Sequence, residues 1–291
     1  MISSLSKLGL GTGQFGLDQP PGTRGRPREA EAKDILSIAG RSGLNVLDIA
    51  GRSASADTLL RSALPQPIPF RMTLTTIRPD RGPELVETEM RAQMLRLGVE
   101  RVDTILAPSA TDLFSPLGPQ LWDRMRAMKD AGLCKHIGVP VYASDDPIGV
   151  ARRFKPDIVQ APASLLDQRL LLDGSLAEIA GMGIEVHLRS IFLNGVLFLP
   201  PDRAPSHLKA AAGRISRARR LIAEGRSDPL QAALGFALSR PEASCVLVGV
   251  ASAAEMSAVV AAAMSPPPDL DWDEMALDDP EALDPRAWQA A

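Results

Sequence analysis

A chain of 291 residues, 45% of them hydrophobic and 23% charged, has enough apolar material for one large core, which excludes a disordered or fibrous protein. A formal net charge of −3 excludes the broad positive field that nucleic acid or an anionic membrane surface would select. No apolar run reaches the roughly 18 residues of a spanning helix, and residues 1–16 lack the charged-then-apolar pattern of a secretory signal, so a cytoplasmic location is the expectation.

From the first residues onward, short β-rich runs alternate with helical stretches. Strands are expected at 8–15, 45–50, 71–77, 101–107, 136–142, 157–161, 184–190 and 245–250. Each is apolar on both faces, as strands inside a parallel barrel must be. Helices are expected between them at 29–41, 56–63, 83–97, 119–131, 145–154, 175–182, 229–238 and 253–263. Two of these, PELVETEMRAQMLRL and PQLWDRMRAMKDA, repeat apolar residues at three- and four-residue steps, and the second stops before Gly132. Eight strands alternating with eight helices predict an α/β fold, a (β/α)8 TIM barrel over residues 1–265 as a single domain. Cys134 and Cys245 fall in apolar strand-like runs and are expected as reduced core residues.

Three segments depart from the alternation. Residues 17–28 form a Pro/Gly/Arg-rich loop after the first strand, and residues 207–224 add a basic helix after the seventh. Residues 266–291 form an acidic, Pro-containing tail with Trp272 and Trp288, expected on or near the barrel as a solvated surface strap rather than a lid. Loops after strands build the active face of such a barrel, so the first two segments overhang it.

Several stretches resemble the aldo-keto reductases, in particular their short bacterial members. They are LGLGTGQFG at the first strand, NVLDIA at the second, Val102-Asp103 at the fourth and KHIGV at the fifth. DIVQAPASLLDQR follows at the sixth, GIEVHLRSIFLNG at the seventh and LVGV at the eighth, all in family order. The resemblance implies the barrel and a hydride transfer from NADPH to a carbonyl. It also implies a Tyr proton donor beside a Lys, which is paired to an Asp, with a His nearby. The chemistry explains the set, because the nascent alkoxide needs a proton near neutral pH and a phenol of pKa near ~10 supplies one well only beside a cation.

Asp48 stands at the family's aspartate position. Ser53 replaces the Tyr in Ala50-Gly-Arg-Ser53-Ala, Thr75 replaces the Lys, and Pro108 replaces the His. No small shift of alignment restores them: the one Tyr is Tyr142, no Lys lies between Lys33 and Lys129, and the first His is His136. On the cofactor side the resemblance assigns Pro140, Gln160 and Ser164 to the nicotinamide end and counts Ser190 among the cofactor positions. It assigns Gly249, Glu255 and Val259 to the adenine end, where the 249–256 stretch has no basic residue for the NADPH 2′-phosphate. Weak or absent NADP(H) binding is the expectation.

Residues projected to the strand C-terminal ends are Gln14, Asp48, Arg52, Thr75, Arg78, Tyr142, Gln160, Arg169 and Arg189. The four arginines read either as a pocket for a small anionic ligand, through bidentate guanidinium contacts, or as rim residues each paired to a local acid such as Asp167. Asp48 reads either as an acid–base group with a raised pKa or, preferentially, as a carboxylate held by backbone N–H groups. His187 reads as a satisfied core histidine, His136 lies at the stability face, and His207 could reach the site from the added helix. No metal-ligand spacing or phosphate-loop motif is present. Three readings follow. The first is a pseudoenzyme that binds a ligand or a protein partner. The second is an oxidoreductase with altered chemistry, and the third, ranked last, is an ordinary carbonyl reductase.

Overall fold

The computed structural model describes residues 4–16, 27–49, 53–199, 208–284 and 286–289. Eight strands close a barrel in sequence order: β1 (Leu8–Gly11), β2 (Val46–Ile49), β3 (Arg71–Thr75), β4 (Thr104–Leu106), β5 (His136–Pro140), β6 (Ile158–Pro162), β7 (Glu185–Arg189) and β8 (Ala243–Gly249). Every neighbouring pair is parallel, and β1 closes the ring on β8 with Gly9 opposite Leu247. The expected (β/α)8 architecture is therefore the observed one. A closed ring leaves no open edge, so each strand is covered on both faces and its residues are apolar almost throughout.

The ring of helices begins with α1 (Glu29–Arg41), α2 (Ala54–Ala63), α3 (Val86–Leu97), α4 (Ala110–Phe114), α5 (Gly118–Asp130) and α6 (Pro147–Phe154). It continues with α7 (Arg169–Leu172), α8 (Ser175–Gly181), α9 (Ala212–Glu224), α10 (Pro229–Leu238), α11 (Ala253–Met264) and α12 (Pro280–Leu283). None of the described helices is long and apolar enough to cross a membrane. Cys134 and Cys245 are buried free thiols, each pushed up to about 12 by burial.

The strands are shorter than the apolar runs suggest. β1 stops at Gly11 because residues Gly13–Gly16 fold into a 3-10 turn, with Phe15 N–H donating to the Thr12 carbonyl at 2.9 Å. β4 starts at Thr104, where the Asp103 carbonyl accepts the first bond to β5 from His136 N–H at 2.9 Å, as well as Lys135 N–H at 3.0 Å. Close packing explains one strand glycine: a Cβ at Gly9 would lie 2.7 Å from Leu247 Cδ2 and 2.9 Å from Cys245 Sγ.

The acidic tail departs from the solvated strap expected of it. Met275, Leu277, Ala282 and Leu283 are buried in a second core with Leu165, Leu166, Val196 and Ile215. Leu277 N–H donates to the Leu166 carbonyl at 2.8 Å, and the Trp272 ring meets the Phe236 ring edge-on. The opposite side of the tail is acidic and faces the basic helix α9, where Glu274 pairs with Arg217 at 2.8 Å and Asp278 pairs with Arg214. The segment alternates apolar and acidic residues, so it has one side for a core and one for arginines. Its percentage of acid hid that periodicity. Within the added segment before it, the helix proper begins at Ala212, and His207 lies outside the described residues.

Candidate site at the barrel mouth

At the N-terminal end of the barrel, Arg71 bridges Asp103 at 3.0 Å and Glu185 at 3.2 Å, and His136 Nδ1 lies 3.2 Å from Asp103. This cluster ties β3, β4, β5 and β7 together, and it puts His136 at the end opposite the mouth. One step inward, His187 is buried with Nε2 3.3 Å from Glu185 Oε2, while Nδ1 has no hydrogen-bond partner. The histidine is thus satisfied on one side only.

Asp48 occupies β2 opposite Gly11 and Thr73 and is 7% exposed. Its backbone carbonyl accepts from Thr12 N–H at 2.8 Å and from Thr12 Oγ1 at 3.1 Å. Its carboxylate Oδ1 is buried with no partner, so backbone N–H groups do not anchor that oxygen as the sequence favoured. Burial pushes the carboxyl up to about 6, against the Gln160 amide, His187 and Arg189, which favour the ionised form. Gln160, on β6 beside His187, is 4% exposed, and its amide acts on the Asp48 carboxyl, with Nε2 outside strict hydrogen-bond geometry.

Arg189 ends β7. Its Nη2 donates to the Val141 carbonyl at 2.9 Å, its guanidinium lies 4.2 Å from the Tyr142 ring centroid, and its Nε is buried with no partner. The other face of Tyr142 is covered by Arg286, from the tail, at 3.7 Å. Arg286 was not legible as a site residue, although it is the one basic residue in the acidic tail, and that isolation is a signal. Asp145, which accepts from Tyr142 N–H at 2.8 Å and pairs with Arg286 at 3.2 Å, was missed with it.

The remaining predicted residues are spread around the rim. Ser53 stands at the start of α2 without capping it, its Oγ 2.7 Å from Ser55 Oγ. Thr75 ends β3 opposite Leu106, and Pro108 follows β4 just before Ser109, which caps α4. Arg78 pairs with Asp80 and Asp112 at 3.6 and 3.3 Å, and its side chain is 65% exposed. Arg169 forks onto Asp167 at 2.8 and 2.9 Å. The local-acid reading therefore describes Arg78 and Arg169, and Arg52 lies outside the described residues. The mouth gathers Asp48, Gln160, Arg189 and Tyr142. Gln14, in the turn after β1, has a buried, unpartnered Oε1 and flanks Gly249 at the end of β8.

The positions assigned to a cofactor divide in two. The Gln160 amide, beside the Asp48 carboxyl, suits a carboxamide. Ser164 Oγ already accepts from the backbone N–H groups of Leu166 and Asp167, at 3.2 and 2.9 Å, and Ser190 has φ 58° with its Oγ 3.5 Å from Arg189. At the adenine end, Val259 is buried in the core. Glu255 accepts from Ala251 N–H at 2.7 Å and Glu31 from Ala253 N–H at 2.5 Å, with no Lys or Arg between 249 and 264. The residues present fit a nicotinamide carboxamide at Gln160 and do not fit a 2′-phosphate at the start of α11. Among the described residues no three His, Cys, Asp or Glu are grouped to hold a metal ion.

A closed parallel barrel with buried, unpartnered polar atoms of Gln14, Asp48 and Arg189 at the strand C-terminal ends defines a (β/α)8 protein of the kind that binds ligands at that face. The sequence profile of the Aldo/keto reductase family matches residues 7–276, and the chain belongs to that family. An aldo-keto reductase of Bacillus halodurans, solved in its holo form, superposes with a TM-score of 0.72 at 17% identity, covering 92% of this chain and 89% of that one. A putative aldo-keto reductase of Pseudomonas aeruginosa superposes with a TM-score of 0.62 at 19% identity, covering 89% of each chain. At these identities the likeness carries the fold. No curated protein sequence matches the chain.

Proposed function

We propose that this chain is a pseudoenzyme of the aldo-keto reductase family, one that does not perform Tyr- and Lys-assisted carbonyl reduction with NADPH and instead binds a small anionic ligand at the barrel mouth. The observation that carries the reading is the company Asp48 keeps. The groups acting on its carboxyl are Gln160, His187 and Arg189, with neither phenol nor ammonium among them. A hydride delivered to a carbonyl leaves an alkoxide that must be protonated. The hydroxyls at Ser53 and Thr75 are far weaker acids than a phenol, and Pro108 offers no proton. Tyr142 is the only phenol in the chain; it follows β5, its ring is stacked by Arg189 of β7 and Arg286 of the tail, and it is not among the groups acting on Asp48.

One buried donor with no partner, Arg189 Nε, supports an anion at the mouth, since a buried donor left unpaired costs roughly 1–3 kcal/mol until a ligand or water meets it. A second reading rests on Asp48 itself. A carboxyl raised to about 6 holds a proton in part of the molecules near neutral pH, which suits an oxidoreductase of altered chemistry that uses a carboxylic acid as proton donor to a small anionic or carbonyl substrate. Neither reading gives a role to nucleic acid or a membrane, and both suit the cytoplasm; a protein partner would be expected at the tail side of the mouth.

The test is a set of calorimetric titrations of the purified protein with NADPH, NADH, inorganic phosphate and a panel of small carboxylates, repeated on Arg189→Gln. Micromolar carboxylate or phosphate binding that Arg189→Gln weakens at least tenfold, with no turnover of aldehydes, supports the binder. Turnover of a carbonyl compound that Asp48→Asn abolishes supports the second reading and removes the first.

A further inference from the structure

The backbone at the start of α11 is occupied by the chain's own carboxylates. A helix start leaves several N–H groups without intrahelical partners and carries a partial positive charge, which together attract anions. Here Ser252 Oγ takes Glu255 N–H at 3.1 Å, Glu255 takes Ala251 N–H at 2.7 Å, and Glu31 reaches across from α1 to take Ala253 N–H at 2.5 Å. The contact of Glu31 spans 222 residues of sequence and exists because β1 and β8 are neighbours in the closed ring, which brings α1 beside α11. Two formal negative charges therefore sit on the N–H groups that would otherwise receive a phosphate, and residues 249–264 supply no cation to offset them.

We infer that Glu31 and Glu255 together bar 2′-phosphorylated dinucleotides from this chain, so that the site refuses NADPH by charge rather than by shape. A 2′-phosphate carries about −1.5 to −2 charges and would meet two carboxylates at close range. A ribose hydroxyl is neutral and donates to carboxylates, so a dinucleotide without the phosphate does not meet that repulsion. The inference rests on the family membership that implies the cofactor, and it does not depend on whether the mouth is catalytic.

The test is calorimetric binding of NADPH and NADH to the full chain, wild type against Glu31→Gln, Glu255→Gln and the pair together. Glutamine keeps an oxygen that accepts the same N–H and removes only the charge. The double variant is expected to bind NADPH at least tenfold more tightly than wild type, with NADH changing less than threefold. An NADPH affinity unchanged by the double substitution overturns the inference, as does an equal gain for both dinucleotides. If circular dichroism shows the double variant unfolded, Glu31→Gln alone is read by the same criterion with an expected gain of about threefold. A double variant that gains NADPH yet reduces no carbonyl leaves the pseudoenzyme reading standing. A wild-type protein that reduces a carbonyl with NADH defeats that reading and leaves this one intact.

Discussion

The guanidinium carbon of Arg286 lies 3.7 Å from the centre of the Tyr142 ring, and Arg189 lies 4.2 Å from it on the opposite side. The contact joins the tail to the loop after β5. Arg286 also hydrogen-bonds Ser144 at 2.9 Å and Asp284 at 2.7 Å, so the tail is fastened at the rim of the mouth.

Arg286→Ala is expected to loosen the tail without unfolding the barrel. The side chain is 40% exposed, so its stacking and ion pairs contribute only about 1 kcal/mol. Limited proteolysis should cut the 266–291 segment several-fold faster, while the Tm falls by no more than about 4 °C. Arg286→Lys should restore only part of the protection, because an ammonium cannot stack and fork at once. An unchanged digestion pattern would mean that the buried leucines alone hold the tail.

Asp48 should make the fold less stable as pH rises. Its carboxyl is at about 6 in the folded chain against an ordinary 3.8, so the folded state binds the proton more tightly. Its contribution is most favourable below about 3.8 and is lost as pH climbs to about 6, in total by about 3 kcal/mol. Asp48→Asn removes this dependence. Urea unfolding at a series of pH values should show the variant gaining on wild type between pH 4 and 7. A variant that loses ground as pH rises would mean the carboxylate is held as an ion, contrary to the unpartnered Oδ1.

The barrel was legible because strands buried on both faces leave unbroken apolar runs, and their order fixes the closure. The strand ends were less so. Whether Gly13–Gly16 extends β1 or turns depends on a hydrogen bond to Thr12, and apolar composition is the same in both cases. Strand register projected Asp48, Gln160, Arg189 and Tyr142 to the strand C-terminal ends, and they come together there, whereas Arg78 and Arg169 pair with acids on the rim. What local sequence could not distinguish was a guanidinium aimed inward from one already matched, since Arg169 has its acid two residues away and Arg78 reaches Asp112 across 34 positions. The contacts of Glu31 and Arg286 were not legible for the same reason, because both act on residues far along the chain, although the isolation of Arg286 in an acidic tail marked the residue itself.

Glu185 should show the opposite pH behaviour from Asp48. The hydrogen bond from His187, reinforced by Arg71, holds its carboxyl down to about 2 against an ordinary 4.5. The stability it provides is present above about 4.5 and is lost as pH falls toward 2. Its side chain is 36% exposed, so solvent screening limits the effect to about 1 kcal/mol. Glu185→Gln should therefore destabilise at pH 7 and converge on wild type as pH falls to about 2, as read by urea midpoints. A deficit that persists at low pH would assign the loss to packing around His187 instead of charge.

The tail is expected to be structural as well as superficial, and Leu277 and Leu283 separate the two roles. Both are buried in the second core, at 4% and 0% exposure, and truncating a buried leucine costs roughly 2–5 kcal/mol when the surroundings cannot collapse. The ion pairs on the other side of the segment, Arg217–Glu274 and Arg214–Asp278, are exposed and contribute about 0–1 kcal/mol each. Leu283→Ala should lower the denaturation midpoint clearly, whereas Arg217→Gln should barely move it, and raising salt should not release the tail. The reverse ranking would make the tail an ionic clasp, with its apolar side incidental. Because Arg169 also donates to the Leu283 carbonyl at 3.5 Å, a loosened Leu283 should free one donor at the rim of the mouth. Anion binding in Leu283→Ala would then rise even as stability falls, an outcome that a passive surface segment cannot produce.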